Sequence, residues 1–545
     1  MAVNETSGAL PALTTPGLDS PMTIPITIGI AVVIAFLLLH TLTPSVDPRE
    51  PPLVRPRIPF IGHIIGLMRH QAQFHMNLQR STHKTIATLP MLTGKMYAVW
   101  DPQLVASGLR NKSLSVNPHI LAATPKVAQV SAPTAALLRG PDAEHIVDRV
   151  LLHAVPASLR GAGIQRLNRT ALDLLAAELT ALAPSSTRPV PVPNTWLFIR
   201  RLLSTATTTA VYGPAHNPFS DPAVEAALWE LEKNLLKLTL DLPAVFTRAG
   251  NRARQTLFDA LTPYYKAHRD TDPAASEFIR NRAEELRAAG IPDEDLARVE
   301  VMLPFAALAN TVPLLFWMVC FVFSRPELVR ELRQEVEGLV VAGGKSDEEQ
   351  GDKKTTKVVL TAGTVEERCP LLMACYKETQ RVAVHQVSTR TVMRDVMLRD
   401  AEGREYLLKE GGVAQLVIGA GHGMEEYWGK DGGEFKPERF LAGKGEDGEA
   451  SGGVRATRVA FQPFGGGLHL CPGRQFAFAE MMAVMVTLLL AFELEPLEGT
   501  EWKLPKFATR SMIDAVTKPA RHGEGFGLTI RRRPGWEGVH WEFEL

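Results

Sequence analysis

The chain has 545 residues and equal numbers of basic and acidic side chains, 59 of each, so its formal net charge is zero. A neutral chain lacks the basic surface typical of nucleic-acid binding, and this class of partner is therefore not expected. The chain has only four cysteines, which are too few for a disulfide framework in this length: Cys320, Cys369, Cys375 and Cys471. We expect reduced thiols in a chain that faces the cytosol.

The first predicted element is an apolar span near the N-terminus. Residues 24–42, IPITIGIAVVIAFLLLHTL, carry no charge and are about long enough to cross a bilayer as a helix. A cleaved signal peptide, the alternative, would need a positively charged start, and only Glu5 and Asp19 are charged before the span. The expected division is a short lumenal tail at 1–21, a transmembrane anchor at 22–43, a proline-rich linker at 44–60 and the main domain at 61–545.

Charges around this span predict its orientation. Arg49, Arg55 and Arg57 follow it, whereas no lysine or arginine precedes it, so the positive-inside rule places the main domain in the cytosol. We expect a single-pass protein of the endoplasmic reticulum membrane. Asn4 begins a glycosylation sequon on the side that would be lumenal, so glycosylation there is expected only if the anchor is correct.

The middle of the chain is predicted to be helical. Apolar residues recur at three-four spacing over 164–182 and 225–242. A second uncharged stretch, 301–324, is long enough for another membrane span. Prolines and polar residues near its middle favour a buried core helix instead, which we expect to run from about 293 to 324.

Shorter patterns complete the fold prediction. Residues 343–358 are a charged insertion, which indicates a solvated loop. Residues 387–418 alternate between apolar and polar side chains and predict strands joined by a turn. The expected fold class is mostly α with a minor β portion.

One cysteine lies in a distinctive setting, PFGGGLHLCPGRQFAFAE at 463–480. Cys471 ends a glycine loop where a helix is predicted to begin. A thiolate is a strong axial ligand for haem iron and favours O–O cleavage. Such a ligand needs glycines, so that the backbone can approach a flat macrocycle, and N–H donors near the sulfur.

The segment from Phe464 to Gly473 resembles the haem-binding signature of the cytochrome P-450 family. In that signature Phe464, Gly467, His469, Cys471 and Gly473 match in order and spacing, with His469 in place of the commoner arginine. The resemblance implies haem b with Cys471 as the axial iron ligand and Phe464 packed beside the sulfur. A structural cysteine in a glycine-rich turn is the alternative.

Two further stretches match the family in the same order. Glu378 and Arg381 fit its Glu-x-x-Arg motif, and FKPERF at 435–440 fits the loop that supplies Arg439. Alone, a charged pair three residues apart is typical of any exposed helix. The resemblance implies that Glu378, Arg381 and Arg439 form a buried structural network behind the haem.

A third match, FAALANT at 305–311, falls where the family places its oxygen-binding groove. The resemblance gives catalytic roles to Thr311 and to its neighbour Asn310. Most members have an acid at the position of Asn310, and an amide can orient water but cannot relay a proton by ionisation. Pro313 leaves the carbonyl of Ala309 without a helical partner and should kink the helix there.

The segment ANTVP is similar to the corresponding segment of the family branch that contains sterol 7α- and 12α-hydroxylases and prostacyclin synthase. The sequence of the Cys471 loop, PFGGGLHLCPG, is similar to that of fungal family members of secondary metabolism. The resemblance also implies cations that bind the haem propionates. His469, Arg390 and Arg149 are the candidates, and a surface salt bridge is the alternative for each.

The expected function is a membrane-anchored haem-thiolate monooxygenase. It would insert one atom of O₂ into a hydrophobic terpenoid, sterol or polyketide-like substrate. Electrons would come from a separate NADPH–cytochrome P-450 reductase, with cytochrome b5 as an optional second donor. A haem-thiolate isomerase acting on a peroxide without a reductase is the main alternative, and a non-catalytic haem or sterol binder is a third.

Overall fold

The computed structural model describes residues 28–34, 37, 46–56, 63–91, 94–341, 355–441, 459–497 and 501–545. Within the predicted membrane anchor, residues 28–34 and 37 are helical, and their large apolar side chains are exposed. The remainder of the anchor, the sequon at Asn4 and most of the residues between 35 and 45 lie outside the described residues.

Helices dominate the described chain, as predicted. Those before residue 300 are α1 (Ile64–His70), α2 (Ala72–Thr82), α3 (Pro102–Arg110), α4 (Asn117–Ala128), α5 (Ala132–Leu137), α6 (Ala143–Asp148), α7 (Val155–Ser158), α8 (Gly161–Ala181), α9 (Thr195–Tyr212), α10 (Pro222–Thr239), α11 (Ala244–Lys266), α12 (Glu277–Ala288) and α13 (Asp293–Val299). Those that follow are α14 (Met302–Leu308), α15 (Thr311–Phe323), α16 (Pro326–Glu337), α17 (Ala362–Arg368), α18 (Pro370–Ala383), α19 (Ile418–Gly421), α20 (Glu425–Trp428) and α21 (Arg474–Ala491).

Several of these helices begin where a polar side chain caps the first turn. Asp101 accepts a hydrogen bond from the backbone N–H of Leu104 at the start of α3. Asn194 and Asp221 cap α9 and α10 in the same way. Each cap satisfies an N–H group that has no partner within the helix.

The core lies around α15 and α21. All the residues of α15 are buried, and α21 is buried from Phe478 onward. The described residues contain two helical stretches long and apolar enough to cross a membrane, 293–323 and 474–491, and 78% of the most apolar window of each is buried inside the protein. The prediction of a core helix over 301–324, rather than a second span, is confirmed.

The helix predicted from about 293 to 324 has the expected bounds, and two interruptions divide it into α13, α14 and α15. The first interruption is at Glu300 and Val301, the second at Ala309 and Asn310. The first interruption lies three to four residues before Pro304, and the second lies three to four residues before Pro313. Since proline has no N–H, it leaves a carbonyl one turn earlier without its helical partner. The kink expected at Ala309 is confirmed, and the break at Glu300 has the same cause.

The β portion is minor, which confirms the predicted fold class. Its strands are β1 (Ile86–Met91), β2 (Gly94–Val99), β3 (Leu114–Ser115), β4 (Val190–Val192), β5 (Thr355–Val359), β6 (Val387–Val392), β7 (Val396–Arg399), β8 (Glu405–Leu408), β9 (Val413–Val417), β10 (Phe492–Pro496), β11 (Leu528–Arg532) and β12 (His540–Glu544). The largest sheet has the order β1-β2-β9-β6-β3.

The sequence predicts strands within 387–418 and a loop over 343–358, and the structure agrees fully only with the first prediction. The strands predicted within 387–418 are confirmed as β6 to β9. The loop predicted over 343–358 is wrong at its end, because β5 begins at Thr355 and pairs in parallel with β12. This partner lies at the far end of the chain, so the local charge pattern gave no sign of it.

Candidate functional site

The segment before Cys471 folds into a tight loop against α3. The backbone N–H of Cys471 donates to the carbonyl of Phe464 at 3.1 Å, which closes the loop. Gly467 has φ +64°, and a Cβ added there would lie 1.9 Å from the carbonyl oxygen of Leu109. Only glycine meets both conditions. Phe464 is partly buried and packs against the main core.

The sulfur of Cys471 lies at the start of α21. Burial raises the pKa of the thiol, while N–H groups of Gly473 and Arg474 and the charge of Arg474 act in the opposite direction. The guanidinium of Arg474 also donates to the carbonyl of Cys471 at 2.9 Å. Coordination to a metal ion deprotonates such a thiol. The donors that would stabilise a thiolate are therefore already in place.

A cluster of basic side chains lies beside this loop. Arg390 on β6 is 4% exposed, and burial alone lowers its pKa. No described carboxylate pairs with it. Burial lowers the pKa of His469, and the nearby charge of Arg390 lowers it further, while Asp148 opposes the shift. A buried arginine without an anion is costly, so this cluster fits the carboxylates of a haem.

His119 on α4 is a third member of the cluster that the sequence reasoning missed. Burial lowers its pKa, a hydrogen bond with the backbone of Arg390 opposes the shift, and the charge of Arg390 adds to it. One of its ring nitrogens lies 3.1 Å from the hydroxyl of Thr391. No motif marks this histidine, and it meets Arg390 only because α4 packs on β6.

Arg149 lies in a different setting from the other predicted propionate ligands. It begins a π-helical segment, Arg149–Ala154, and its side chain is 45% exposed. The guanidinium pairs with Glu285 of α12 at 2.5 Å. The structure brings His469 and Arg390 together, and the role predicted for Arg149 stays a prediction.

Glu378, Arg381 and Arg439 are brought together. The carboxylate of Glu378 accepts two hydrogen bonds from Arg381, each 2.7 Å long, and both residues are buried. Arg439 Nε lies 3.5 Å from the same carboxylate. Arg381 also donates to the carbonyls of residues 422, 432 and 434. The pair therefore ties α18 to the segment that contains Arg439.

Asn310 and Thr311 lie at the second interruption of the long helix. The Thr311 hydroxyl donates to the carbonyl of Ala307 at 3.3 Å. The Asn310 side-chain oxygen accepts the backbone N–H of Ala515 at 3.1 Å. The amide oxygen is therefore occupied, and the NH₂ group is the part of Asn310 that remains to act as a donor.

A helical fold with a glycine-shaped cysteine loop, beside a buried arginine that pairs with no described carboxylate, defines a haem-thiolate class of protein. Residues 227–522 match the family model described as Cytochrome P450. The chain belongs to the cytochrome P450 family and is an oxidoreductase of its monooxygenase class. Membership implies haem held by a cysteine thiolate, O₂ as co-substrate and a redox partner.

Similar proteins agree with the predicted branches. The chain is 34% identical to "Cytochrome P450 monooxygenase" of Gibberella zeae, over 92% of each chain. It is 31% identical to "Cytochrome P450 monooxygenase nodJ" of Hypoxylon pulicicidum, over 92% of this chain and 93% of the relative. It is 25% identical to "5-beta-cholestane-3-alpha,7-alpha-diol 12-alpha-hydroxylase" of Sus scrofa, over 82% of this chain and 87% of the relative. The predicted likeness to fungal members and to sterol hydroxylases is confirmed.

Proposed function

We propose that this protein is a membrane-anchored monooxygenase that inserts one oxygen atom from O₂ into a hydrophobic substrate. Its electrons come from a separate NADPH–cytochrome P450 reductase, with cytochrome b5 as a second donor to be tested. The observation that carries the proposal is the Cys471 loop beside a buried arginine, Arg390, that has no anionic partner among the described residues. Haem bound there supplies the activation of O₂.

The residues around the loop have separate roles in this proposal. Cys471 is the axial thiolate, and the N–H groups of Gly473 and Arg474 tune the sulfur. Arg390, His469 and His119 hold the propionates. The positive charge of Arg390 does not change with pH near neutrality, because arginine stays protonated.

Proton delivery is assigned to Thr311 and to water. Its hydroxyl can both donate and accept a proton, and it lies where the helix is interrupted. Asn310 has no ionisable group, and its oxygen is engaged by Ala515. Asn310 therefore orients groups in the pocket through its NH₂, while Thr311 moves protons.

The proposed substrate is a terpenoid, sterol or polyketide-like molecule of secondary metabolism. Relatives named as monooxygenases come from fungi, and others are named as sterol hydroxylases. The apolar N-terminal span supports a place in the endoplasmic reticulum membrane, with residues 61–545 in the cytosol. A membrane-embedded enzyme has ready access to lipid-soluble substrates.

A haem-thiolate isomerase remains the second candidate, and Asn310 is the observation that favours it. An isomerase that rearranges a peroxide needs no protons delivered to O₂, so an acid at this position would be dispensable. Thr311 favours the monooxygenase, since a hydroxyl in the groove suits oxygen activation.

Isotopic oxygen distinguishes the two candidates. The haem-loaded full-length protein is incubated under ¹⁸O₂ with terpenoid, sterol and polyketide substrates, with and without NADPH and reductase. A monooxygenase gives products with one ¹⁸O atom only when NADPH and reductase are both present. Turnover of an organic peroxide without reductase, and no label under any electron supply, would identify the isomerase instead.

A further inference from the structure

His385, just after the end of α18, joins that helix to a segment near the C-terminus. Its side chain is buried, and ring nitrogen Nε2 lies 3.0 Å from the carbonyl oxygen of Ser511. The other ring nitrogen, Nδ1, lies 2.8 Å from the hydroxyl of Thr517. The backbone N–H of His385 donates to the carbonyl of Ala515 at 2.8 Å. One residue thus contacts the segment at three points.

The two ring contacts of His385 determine its tautomer. Burial and the nearby charge of Arg510 lower its pKa to about 4, although the carbonyl of Ser511 makes the largest opposing contribution. The ring is therefore neutral near neutral pH and carries one proton. A carbonyl can only accept a hydrogen bond, so the proton lies on Nε2 and is donated to Ser511. Nδ1 then accepts from the hydroxyl of Thr517, and the two nitrogens have separate roles.

The turn 511–515 adjoins the second break in the long helix. On one side, the N–H of Ala515 donates to the side-chain oxygen of Asn310 at 3.1 Å. On the other side, the N–H of Met512 donates to the side-chain oxygen of Gln71 at 3.3 Å. Together with the contacts from α18, these bonds hold the backbone of the turn between three distant parts of the chain.

The side chains of this turn are less enclosed than its backbone contacts suggest. Residues 511–515 are half-buried, whereas residues 516–519 are buried. The turn carries two apolar side chains, Met512 and Ile513, and the second packs against the main core. Because the turn is bonded to the helix break, this apolar surface adjoins Thr311, to which the proposed function assigns proton delivery.

We propose that His385 is a positioning residue that determines substrate specificity. Its Nε2–H holds the turn 511–515 where the apolar side chains of the turn select which part of a hydrophobic substrate lies at Thr311. The inference rests on the proposed function and deepens it, because it names the element that orients the substrate. Loss of the Ser511 contact should change selectivity, whereas loss of the Thr517 contact should not.

Substitutions separate the two ring contacts. His385→Gln carries an amide N–H near the position of Nε2 and retains a donor for Ser511. His385→Asn places its oxygen near the position of Nδ1 and retains an acceptor for Thr517, and His385→Leu loses both. Thr517→Val is the matched control, because it removes the hydroxyl at Nδ1 and leaves the Nε2 contact. The backbone of residue 517 keeps its bonds with Trp317 and Ala383.

Two apolar probes of different shape, adamantane and cyclododecane, measure selectivity without knowledge of the natural substrate. Their binding to the haem-loaded full-length protein is followed by the Soret band, and the measured quantity is the ratio of the two affinities. His385→Leu and His385→Asn should change this ratio about tenfold, the effect of roughly one methylene group on the fit of an apolar pocket. His385→Gln and Thr517→Val should keep the wild-type ratio.

Thermal unfolding of the same samples separates selectivity from stability, because every variant alters a buried hydrogen bond but only two should alter the ratio. Should His385→Leu fail to accumulate, His385→Asn decides the outcome. An unchanged ratio in these variants, an equal change in Thr517→Val, or no binding of either probe by wild type would overturn the proposal.

The reduced carbon-monoxide spectrum of each sample distinguishes failure of this proposal from failure of the proposed function. An intact thiolate band with an unchanged ratio removes the role of His385 alone, whereas absence of the band in wild type removes the proposed function.

Discussion

Ala515 donates its backbone N–H to the side-chain oxygen of Asn310 at 3.1 Å, across 205 positions of sequence. The bond joins the break in the long helix to the turn 511–515. The resemblance to the family places Asn310 where most members have an acid. The amide of Asn310 thus has a structural contact, and in the proposed function the neighbouring Thr311 is the group that exchanges protons.

Replacing Asn310 with leucine should loosen this connection. The variant keeps the size of the side chain but leaves the N–H of Ala515 without its acceptor, at a cost of about 1 kcal/mol or somewhat more. Thermal unfolding of the haem-loaded protein measures the loss. Asn310→Asp retains an acceptor oxygen and should unfold close to the wild-type temperature; equal losses in the two variants would contradict the assignment.

Glu480 predicts a pH dependence of stability. Its carboxyl on α21 is 1% exposed, one oxygen accepts the Thr207 hydroxyl at 2.6 Å, and the other has no described partner. Burial raises its pKa to about 8, against 4.5 for the free side chain. The folded state therefore keeps a proton that the unfolded state releases, and the free energy of unfolding falls as the pH rises between these two values.

Glu480→Gln should abolish this fall, because an amide stays neutral throughout. At pH 8 the variant should be more stable than wild type, by an amount on the order of a few kcal/mol. Unfolding is followed between pH 5 and pH 8. Glu327→Gln, at an exposed carboxyl on α16, is the matched control and should retain the wild-type slope; identical slopes in all three proteins would show that Glu480 is ionised in the folded state.

The Glu378–Arg381 pair should be essential for folding. Arg381→Leu leaves a fully buried carboxylate without its main partner, which costs about 3–5 kcal/mol. We expect low folded yield and little bound haem. Arg330→Leu breaks a pair with the same spacing, Glu327 to Arg330, on an exposed helix face. It should leave yield and haem content unchanged; a similar loss in both variants would show that burial does not distinguish the two pairs.

Many features of the fold and of the candidate site follow from local sequence, and the others depend on contacts between distant parts of the chain. The Cys471 loop and the Glu378–Arg381 pair lie within short motifs, because their members interact with near neighbours in the chain. His119, Ala515 and His385 carry no such signal. Each acts through a partner far away in the chain, and helix packing alone brings them together. The break at Glu300 was within reach of the sequence, since Pro304 has the same effect there as Pro313 has at Ala309.

Arg390 and Arg149 should differ in their effect on haem retention. Arg390→Leu removes a buried cation that has no described anion, so haem should transfer to excess apomyoglobin about tenfold faster. Arg149→Leu removes a half-exposed side chain paired with Glu285, and the transfer rate should change little. If Arg149→Leu loses haem as fast as Arg390→Leu, Arg149 leaves Glu285 when haem binds.

The most direct test of the central claim is the reduced carbon-monoxide difference spectrum of the purified full-length protein, beside Cys471→Ser. Thiolate ligation predicts a strongly red-shifted Soret band in the wild type and its absence in the variant. A wild-type protein that binds haem without this band, or a variant that retains it, would contradict Cys471 as the axial ligand.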